Sequence, residues 1–568
     1  MARLKAITIK GYRSIRDRII IRFPPHVPIV LIGENNAGKS NIVSAMDLIL
    51  GELWPGSHEP EDHEFWNRNP SNGPIEISAE FEPFNVPYYG QTIDVHGFRW
   101  VYDPNAPDEK CKFRAQTSLG DDRYVRNEMR DQCTCIVIGA ERRLSYQLSY
   151  ASKWTLLSKL MHKFHQHLTS DPERVKQLKE KFKEIKQILT GVQEFADFQS
   201  SLVEQFSGMV AGMTYRLEID FSAYDPSNFF HSLRVFPQEN SQIRTFEELG
   251  SGEEQLLALA FAHAYAKAFY GGILLAIEEP EAHLHPLAQQ WLAKEIYQMA
   301  KDGLQIIITT HSPAFVNVLG LEGVVLVRKL DGATVVKQLT AQELADYCIE
   351  HGAHPNRTNA QTILPFYAAS ATQEILSGLF AKKVVLVEGP TEAIALPIYL
   401  SKVGLNVTKK GIAIIPVMGK GNLAKWWRFF TAYEIPTFLI FDNDASDDPQ
   451  GKKRRDALKA INLRDSEIKE IIATNDWNIG DLYCVFGRDF EETLRRSFSS
   501  YESLESQAKD AIGDSKPLVA RYIAEKLRKN DDVGWTKFEE LREKIEHLVH
   551  DDTIQNGSRG IMDWEIPF

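Results

Sequence analysis

No apolar run in this 568-residue sequence reaches the ~20 residues that a membrane-spanning helix needs, so a membrane protein is not expected. A secretory leader is missing from the reading too. Residues 1–10, MARLKAITIK, go straight into strand-like alternation, and a cytoplasmic protein is expected. Cysteine is scarce, and of the five only Cys133 and Cys135 lie close together. A C-x-C without a second pair is a poor zinc signature, whereas two residues apart on a strand means one packed face. A reduced, intracellular chain is the expectation. Positive charge is also in short supply. The net charge of −12 argues against indiscriminate coating of nucleic acid and leaves room only for local basic grooves. Lys452–Arg455 and Arg174–Lys186 are two candidate runs, and each also reads as an ordinary solvated face. No internal repeat or low-complexity tract is present. The length itself excludes a single core and suggests about three or four domains.

What the sequence does contain is concentrated first in Pro25–Leu50. Ile29–Ile32 reads as a buried strand, Gly33–Ser40 spells G-x-x-x-x-G-K-S, and Asn41–Leu50 resumes at helical spacing. Strand, loop and helix in that order form the context a P-loop requires. Gly33, Asn36 and Gly38 shape a loop whose N–H groups face an anion, Lys39 reaches the β- and γ-phosphates, and Ser40 ligates Mg²⁺. ATP is the expected nucleotide.

Around this motif, residues 1–23 read as a hairpin and Gly51–Pro74 as a loop. Ile75–Glu82 reads as a half-exposed strand, and 83–130 as polar and irregular with short strands at Phe98–Tyr102 and Lys112–Thr117. Residues 151–213 turn helical and suggest an insertion that splits the ATPase, serving dimerisation or simple packing. Leu249–Gln255, LGSGEEQ, has the form L-[GS]-x-G-x-x-Q and places Ser251 and Gly252 at a helix N-terminus, suited to an anion. The strand Gly272–Ile277 runs into Glu278 and Glu279: the first can hold Mg²⁺ and the second can orient the attacking water as general base. His311 follows the next strand, Gln305–Thr309, and can sense the γ-phosphate. His283 and His285 are read as part of the loop after Glu279 rather than as zinc ligands, because partner ligands are missing. Residues 341–380 read as a linker.

A second α/β unit is expected from 381 to 568. Lys383–Val387 is a buried strand that ends in Glu388, and Glu392 opens a helix. A glycine-bracketed turn, MGKGN, follows the strand Gly411–Pro416. The apolar run Thr437–Phe441 ends in Asp442-Asn443-Asp444. Carboxylates at the C-terminal edge of a parallel sheet converge where sites form. They repel one another unless cations sit between them, and hard oxygen ligands suit Mg²⁺ or Mn²⁺.

The first motif set resembles the ABC ATPases, in the branch shared with structural-maintenance-of-chromosomes and RecF proteins. That resemblance implies a homodimer or higher homo-oligomer. It also matches Arg13, in GYRSI, to a basic residue near the nucleotide. The chain departs from the branch in having Glu278 where most members have Asp. The second set, E-G-x-x-E followed by D-x-D, resembles the TOPRIM domain. An ABC-type ATPase (1–150 and 214–340, split by the insertion) followed by TOPRIM (381–568) resembles the overcoming-lysogenization-defect (OLD) nucleases, a family that includes the nuclease subunit of Gabija phage defence. The fold class implied is α/β throughout. The resemblance implies a metal-dependent DNA endonuclease under ATPase control. Glu388, Glu392, Asp442 and Asp444 are its metal ligands, joined by Asp489 and Glu491, with Lys516 stabilising the transition state. It also implies an acid-site role for Glu388 and Asp442, a nucleotide-side role for Glu279, and a helicase-like partner protein. A non-nucleolytic RecF-like DNA-binding ATPase is the alternative, and the choice between DNA and RNA stays open.

Overall fold

In the computed structural model, the structure describes residues 2–51, 53–130, 132–139, 180–181, 193–209, 215–221, 233–239, 242–243, 253, 257, 260, 273–445 and 448–549. Ser251 and Gly252 of the expected signature, and most of the expected insertion 151–213, lie outside them; the helix Gln193–Met209 of that insertion is described. The chain divides into two units, residues 1–315 with 322–336, and 316–321 with 337–568. No helix among the described residues is long and apolar enough to cross a membrane.

The first unit is organised around the helix Lys39–Leu50. On one side of it is a six-stranded, mainly parallel sheet in the order Ala333–Gln338, Val324–Leu330, Ile29–Ile32, Gln305–Thr309, Ile273–Glu278, Thr134–Ile138. The P-loop strand Ile29–Ile32 sits inside this sheet, buried on both faces, as a parallel strand between covering layers should be. A six-stranded antiparallel sheet runs Ile19–Arg22, Leu4–Lys10, Ile75–Tyr88, Gln91–Tyr102, Cys111–Thr117, Gly120–Tyr124. Ile42, Met46 and Ile49 of the helix join Ile7, Ile9, Ile77 and Trp100 from this sheet and Leu31 and Ile307 from the other in one core. Cys133 and Cys135 are free thiols in that same core, so they serve packing.

One expectation is met only in part in this unit. The short strands expected at Phe98–Tyr102 and Lys112–Thr117 lie within Gln91–Tyr102 and Cys111–Thr117, but most of the rest of 83–130 is not irregular. The strand starting at Ile75 continues to Tyr88, turns through Tyr89 and Gly90 and returns as Gln91–Tyr102. Both turn residues have positive φ (47° and 81°), the backbone that matches a two-residue hairpin to strand twist. Pro83 and Pro87 hide this strand in the sequence. A register shift between Glu80 and Phe84 accommodates the first proline, so the ladder survives it.

The second unit holds a five-stranded sheet in the order Ile412–Pro416, Lys383–Val387, Thr437–Asp442, Tyr483–Phe486, Asn478–Ile479. The first four strands are parallel and the last is antiparallel. One face packs Tyr399, Phe490, Trp535 and Phe538 from the helices Pro390–Lys402, Phe490–Ser497 and Val533–His547, together with Phe498 just past the second of them. The helix Leu423–Ala432 is buried at every residue.

The expected linker 341–380 is corrected here, because it belongs to the second unit and supplies part of that helix's cover. Its helices Ala341–Glu350 and Ala360–Ala368 are set by side-chain caps from Thr340 and Asn359. The Tyr367 hydroxyl donates to the Lys425 carbonyl at 2.9 Å, and Lys425 Nζ donates to Ser370 Oγ at 2.7 Å. Arg428 Nε donates to the His351 carbonyl at 2.8 Å. Short helices joined by HGAHPNRTNAQT read as polar linker because their apolar faces are narrow, and caps rather than periodicity define them.

Candidate functional site

The nucleotide side is built by glycine geometry. Gly33 has φ 142° and Gly38 φ 111°; a Cβ would lie 2.0 Å from the Val327 carbonyl in the first and 2.2 Å from Thr334 Oγ1 in the second. Only glycine fits both places. Lys39, at the start of the helix, is buried and donates to the carbonyls of Gly33 and Glu34, both at 2.9 Å. Burial pushes its ammonium down to about 8 against the pull of Glu279, Glu281 and Glu34. Ser40 is exposed on the first helical turn, and Asn36 takes a left-handed backbone (φ 62°) in the loop. The Thr334 hydroxyl donates to the Ala37 carbonyl at 2.8 Å and accepts from Ser14 Oγ at 2.7 Å, which pins the loop from the sheet.

Parallel pairing brings the other expected residues to the same edge. Glu278 ends its strand opposite Thr309. Glu279, with φ 49°, is half exposed, and its N–H donates to the Thr309 carbonyl at 2.9 Å. His311 Nε2 lies 3.8 Å from Glu279 Oε1. Burial, and then the charge of Lys39, hold that imidazole below its ordinary pKa. Arg13 is placed differently from the rest. It donates to Ser44 Oγ at 3.2 Å and lies over the Tyr12 ring, on the second turn of the helix.

Glu281 was missed by the sequence reading. Its Oε1 accepts from the His311 N–H at 2.6 Å, while Oε2 is buried with no hydrogen-bond partner. Burial first, and Glu279 among the lesser causes, raises its carboxyl above the ordinary value. A third carboxylate in E-E-P-E was the available signal. His285 caps the helix Pro286–Lys301 by accepting from the Leu287 N–H at 3.2 Å, and His283 has φ 63° in the preceding turn. Both serve the loop's geometry.

In the second unit the acidic residues also gather at the C-terminal ends of parallel strands. Glu388 follows Val387 directly. Glu392 is buried in the first turn of its helix, and its Oε2 accepts from the Gly389 N–H at 3.0 Å. Burial, with Glu388 and Glu491 adding to it, pushes the Glu392 carboxyl up to about 7. Asp442 is raised well above its ordinary range by burial and then by Glu392, Glu388 and Glu491, with Lys420 opposing. Its Oδ1 is buried with no hydrogen-bond partner. Such a cluster of like charges is self-penalising in a low-dielectric site, and a hard divalent cation is the group that relieves it. Among the described residues no three acidic, histidine or cysteine side chains converge on one metal position, so the fit to such an ion rests on the orphaned Asp442 oxygen and on the charges of Glu392, Glu388 and Glu491 that act on it.

Not every predicted ligand behaves alike. Asp489 is the cap of the helix Phe490–Ser497, accepting from the Glu492 N–H at 2.6 Å, so this carboxylate is engaged in holding the helix that presents Glu491. Asp444 is half exposed, two residues past the strand. Lys516 is exposed at the first position of the helix Lys516–Lys526. Lys402, at the far end of the Glu392 helix, donates to the carbonyls of Glu525 and Leu527. The two packed helices therefore run the same way, with Glu392 and Lys516 toward the same end.

The basic run Lys452–Arg455 is not one solvated face. Arg454 is buried, donating to the Asn443 carbonyl at 2.6 Å, to Asn443 Oδ1 at 2.7 Å and to the Asp448 carbonyl at 2.8 Å. Asn443 in turn donates to the carbonyls of Ile472 and Thr474. The middle residue of D-N-D thus fixes the loop, leaving Asp442 and Asp444 to either side.

Comparison with known proteins agrees with this division. Residues 3–131 and 131–316 match the AAA ATPase domain model. The chain belongs to the AAA ATPase domain family. Residues 379–444 match the TOPRIM domain of overcoming lysogenization defect protein-like sequences, so the second unit carries an OLD-like TOPRIM domain. The chain is 27% identical over 489 residues to the OLD nuclease of Thermus scotoductus, covering 82% of this chain and 88% of that one. It is 24% identical over 292 residues to the Old nuclease of Escherichia phage P2, covering 50% and 46%. With the Endonuclease GajA of Bacillus cereus (strain VD045) it shares 22% over 193 residues, covering 34% and 30%. Both latter matches span less than half of those relatives. The Glu388–Glu392 and Asp442–Asp444 motifs all fall within the TOPRIM match, whereas Asp489, Glu491 and Lys516 lie beyond it.

Proposed function

We propose that this chain is an ATP-controlled, divalent-metal-dependent endonuclease that hydrolyses DNA phosphodiesters. The observation that carries the reading is the buried, unpartnered Oδ1 of Asp442 among Glu388, Glu392 and Glu491, at the strand ends of a TOPRIM domain. In this reading Glu388, Glu392, Asp442, Asp444 and Glu491 hold Mg²⁺ or Mn²⁺, and Asp489 orients Glu491 rather than ligating. Bound divalent ions supply a water activated at neutral pH and charge relief on the leaving oxygen. Lys516 offsets charge on the scissile phosphate from the helix beside Glu392. On the ATPase side Lys39 and Ser40 hold nucleotide and Mg²⁺, Glu279 orients water, and His311, neutral at pH 7, senses the γ-phosphate.

The names of the relatives, two called OLD nucleases and one Endonuclease GajA, favour nuclease activity, and the resemblance to the family that includes the Gabija nuclease subunit favours a place in phage defence. A homodimer or higher homo-oligomer, and a helicase-like partner, complete the proposal. A plasmid assay tests it: supercoiled DNA with Mg²⁺ or Mn²⁺, with and without ATP, beside Glu388→Ala and Lys39→Ala. Cleavage that disappears in Glu388→Ala supports the nuclease. Wild-type ATP hydrolysis with no cleavage by any variant would favour a DNA-binding ATPase instead.

A further inference from the structure

The turn between the strand Ile412–Pro416 and the helix Leu423–Ala432 was noted in the sequence only for its glycines, and its lysine has no part in the reading above. The chain enters it through Met418 (φ 57°) and Gly419 (φ 113°), two left-handed residues in succession. The Val417 N–H donates to the Val387 carbonyl at 3.0 Å and the Gly419 N–H to the Glu388 carbonyl at 2.9 Å. Asn422 Nδ2 closes the turn on the Val417 carbonyl at 2.8 Å. The turn is thereby fixed to the backbone of Glu388 itself.

From this turn Lys420 points inward, and its side chain is 2% exposed. Its Nζ lies 3.6 Å from Glu388 Oε2 and donates to the Asp444 carbonyl at 3.2 Å. One ammonium therefore spans the two strand ends that carry the acidic motifs. Taking a lysine charge out of water is costly unless anions and acceptors surround it. Here they do, and the neighbours are the carboxylates that most need a positive charge. A lysine suits this role because its ammonium is compact and presents three donors, where a planar guanidinium would demand a wider slot.

We propose that Lys420 is a built-in counter-ion of the carboxylate site, a positioning residue that holds Glu388 and the Asp442–Asp444 loop at one spacing when divalent ions are absent. The proposal rests on the metal-dependent reading above. It implies that Lys420 and divalent ions relieve the same repulsion, so each matters most when the other is missing.

The test uses the full chain and three variants: Lys420→Met, which keeps the length of the stem, Glu388→Gln, and the two combined. Thermal midpoints are read in chelator and in millimolar Mn²⁺, and Mn²⁺ uptake is followed by calorimetry. In chelator, Lys420→Met is expected to lower the midpoint by about 5 °C, the scale of one broken buried pair in a chain of this size. Adding Glu388→Gln to it recovers at least half of that loss, and the Mn²⁺-induced rise in midpoint is larger in Lys420→Met than in wild type. Additive shifts in the cycle, with equal Mn²⁺-induced rises, would overturn the proposal and leave Lys420 as a pin for the Asp444 carbonyl alone. Wild-type protein that takes up no Mn²⁺ overturns the metal-dependent reading instead, and the calorimetry reports that separately from the cycle.

Discussion

The two sites solve opposite electrostatic problems with the same residue type. In the first unit a buried lysine, Lys39, sits in a ring of backbone, donating to the carbonyls of Gly33 and Glu34 at the mouth of a loop. In the second, a buried lysine, Lys420, lies 3.6 Å from the Glu388 carboxylate, donates to the Asp444 carbonyl and acts on the charge of Asp442. The first site is a contiguous run of eight residues whose conformation is set by two glycines that admit no Cβ. The second is assembled from Glu388, Glu392, Lys420, Asp442, Asp444 and Glu491, spread over about a hundred residues of chain and brought together by sheet order. A site made of main chain tolerates changes in its neighbours' charge. A site made of mutually repelling side chains depends on every balancing charge.

The sharpest way to break that contrast is to remove one charge from each site. Asp442→Asn is expected to abolish plasmid nicking, with a loss of about a thousandfold if one metal ligand is worth several kcal/mol, while ATP hydrolysis by the same preparation is retained. Lys39→Ala should do the reverse at its own site. It weakens nucleotide binding by about a hundredfold, the scale of ~2–3 kcal/mol of charge-assisted hydrogen bonding, with Mn²⁺ uptake unchanged by calorimetry.

Next in size is the scaffold of the acidic loop. Arg454→Met strands the buried Asp448 carboxylate and frees Asn443, and urea denaturation should show a loss of about 3 kcal/mol. A loss under about 0.5 kcal/mol would mean that the D-N-D loop is held by the sheet alone. Smaller again is the distinction between Asp489 and Glu491. Asp489→Asn keeps the helix cap, so stability and nicking should both stay near wild type, whereas Glu491→Gln should weaken Mn²⁺ uptake. If Asp489→Asn abolishes uptake, the cap assignment is wrong.

The smallest expected effect concerns Lys425, whose ammonium burial alone pushes down to about 8 from 10.5. Between those values the folded chain binds fewer protons than the unfolded one. This group therefore makes stability rise with pH from about 8 to about 10.5. Lys425→Met should flatten that rise in denaturation curves taken at pH 7.5, 8.5 and 9.5.

How much of this was legible beforehand follows the same contrast. The P-loop, its strand and its helix stand in the sequence because the motif is local. Ile29–Ile32 and Gln305–Thr309 have the bounds their apolar runs suggest. Glu388 and Asp442 were legible as strand-end carboxylates and Glu392 as an acid opening the next helix, and in the structure Glu388 acts on the charge of Glu392 and both act on that of Asp442. The long hairpin Ile75–Tyr102 was not legible, because two prolines mask a strand whose bulge absorbs one of them. The helices of 341–380 were not legible either, because their caps and their docking on a buried helix define them rather than their own periodicity. Asp489 and Glu491 looked equivalent in sequence, and only the helix cap separates them.

A phosphate cradle and strand-end acids could be read directly from the order of residues, because each is written in a short run. Tertiary structure alone decided which charges balance which. The lysine from a glycine-rich turn became the counter-ion of Glu388, the arginine from a basic run became the clamp on Asn443, and Glu281 came under the His311 N–H. Those pairings join residues 11 to 32 positions apart. Coulomb energy depends on distance in space and on burial, and neither is recorded in the order of the residues.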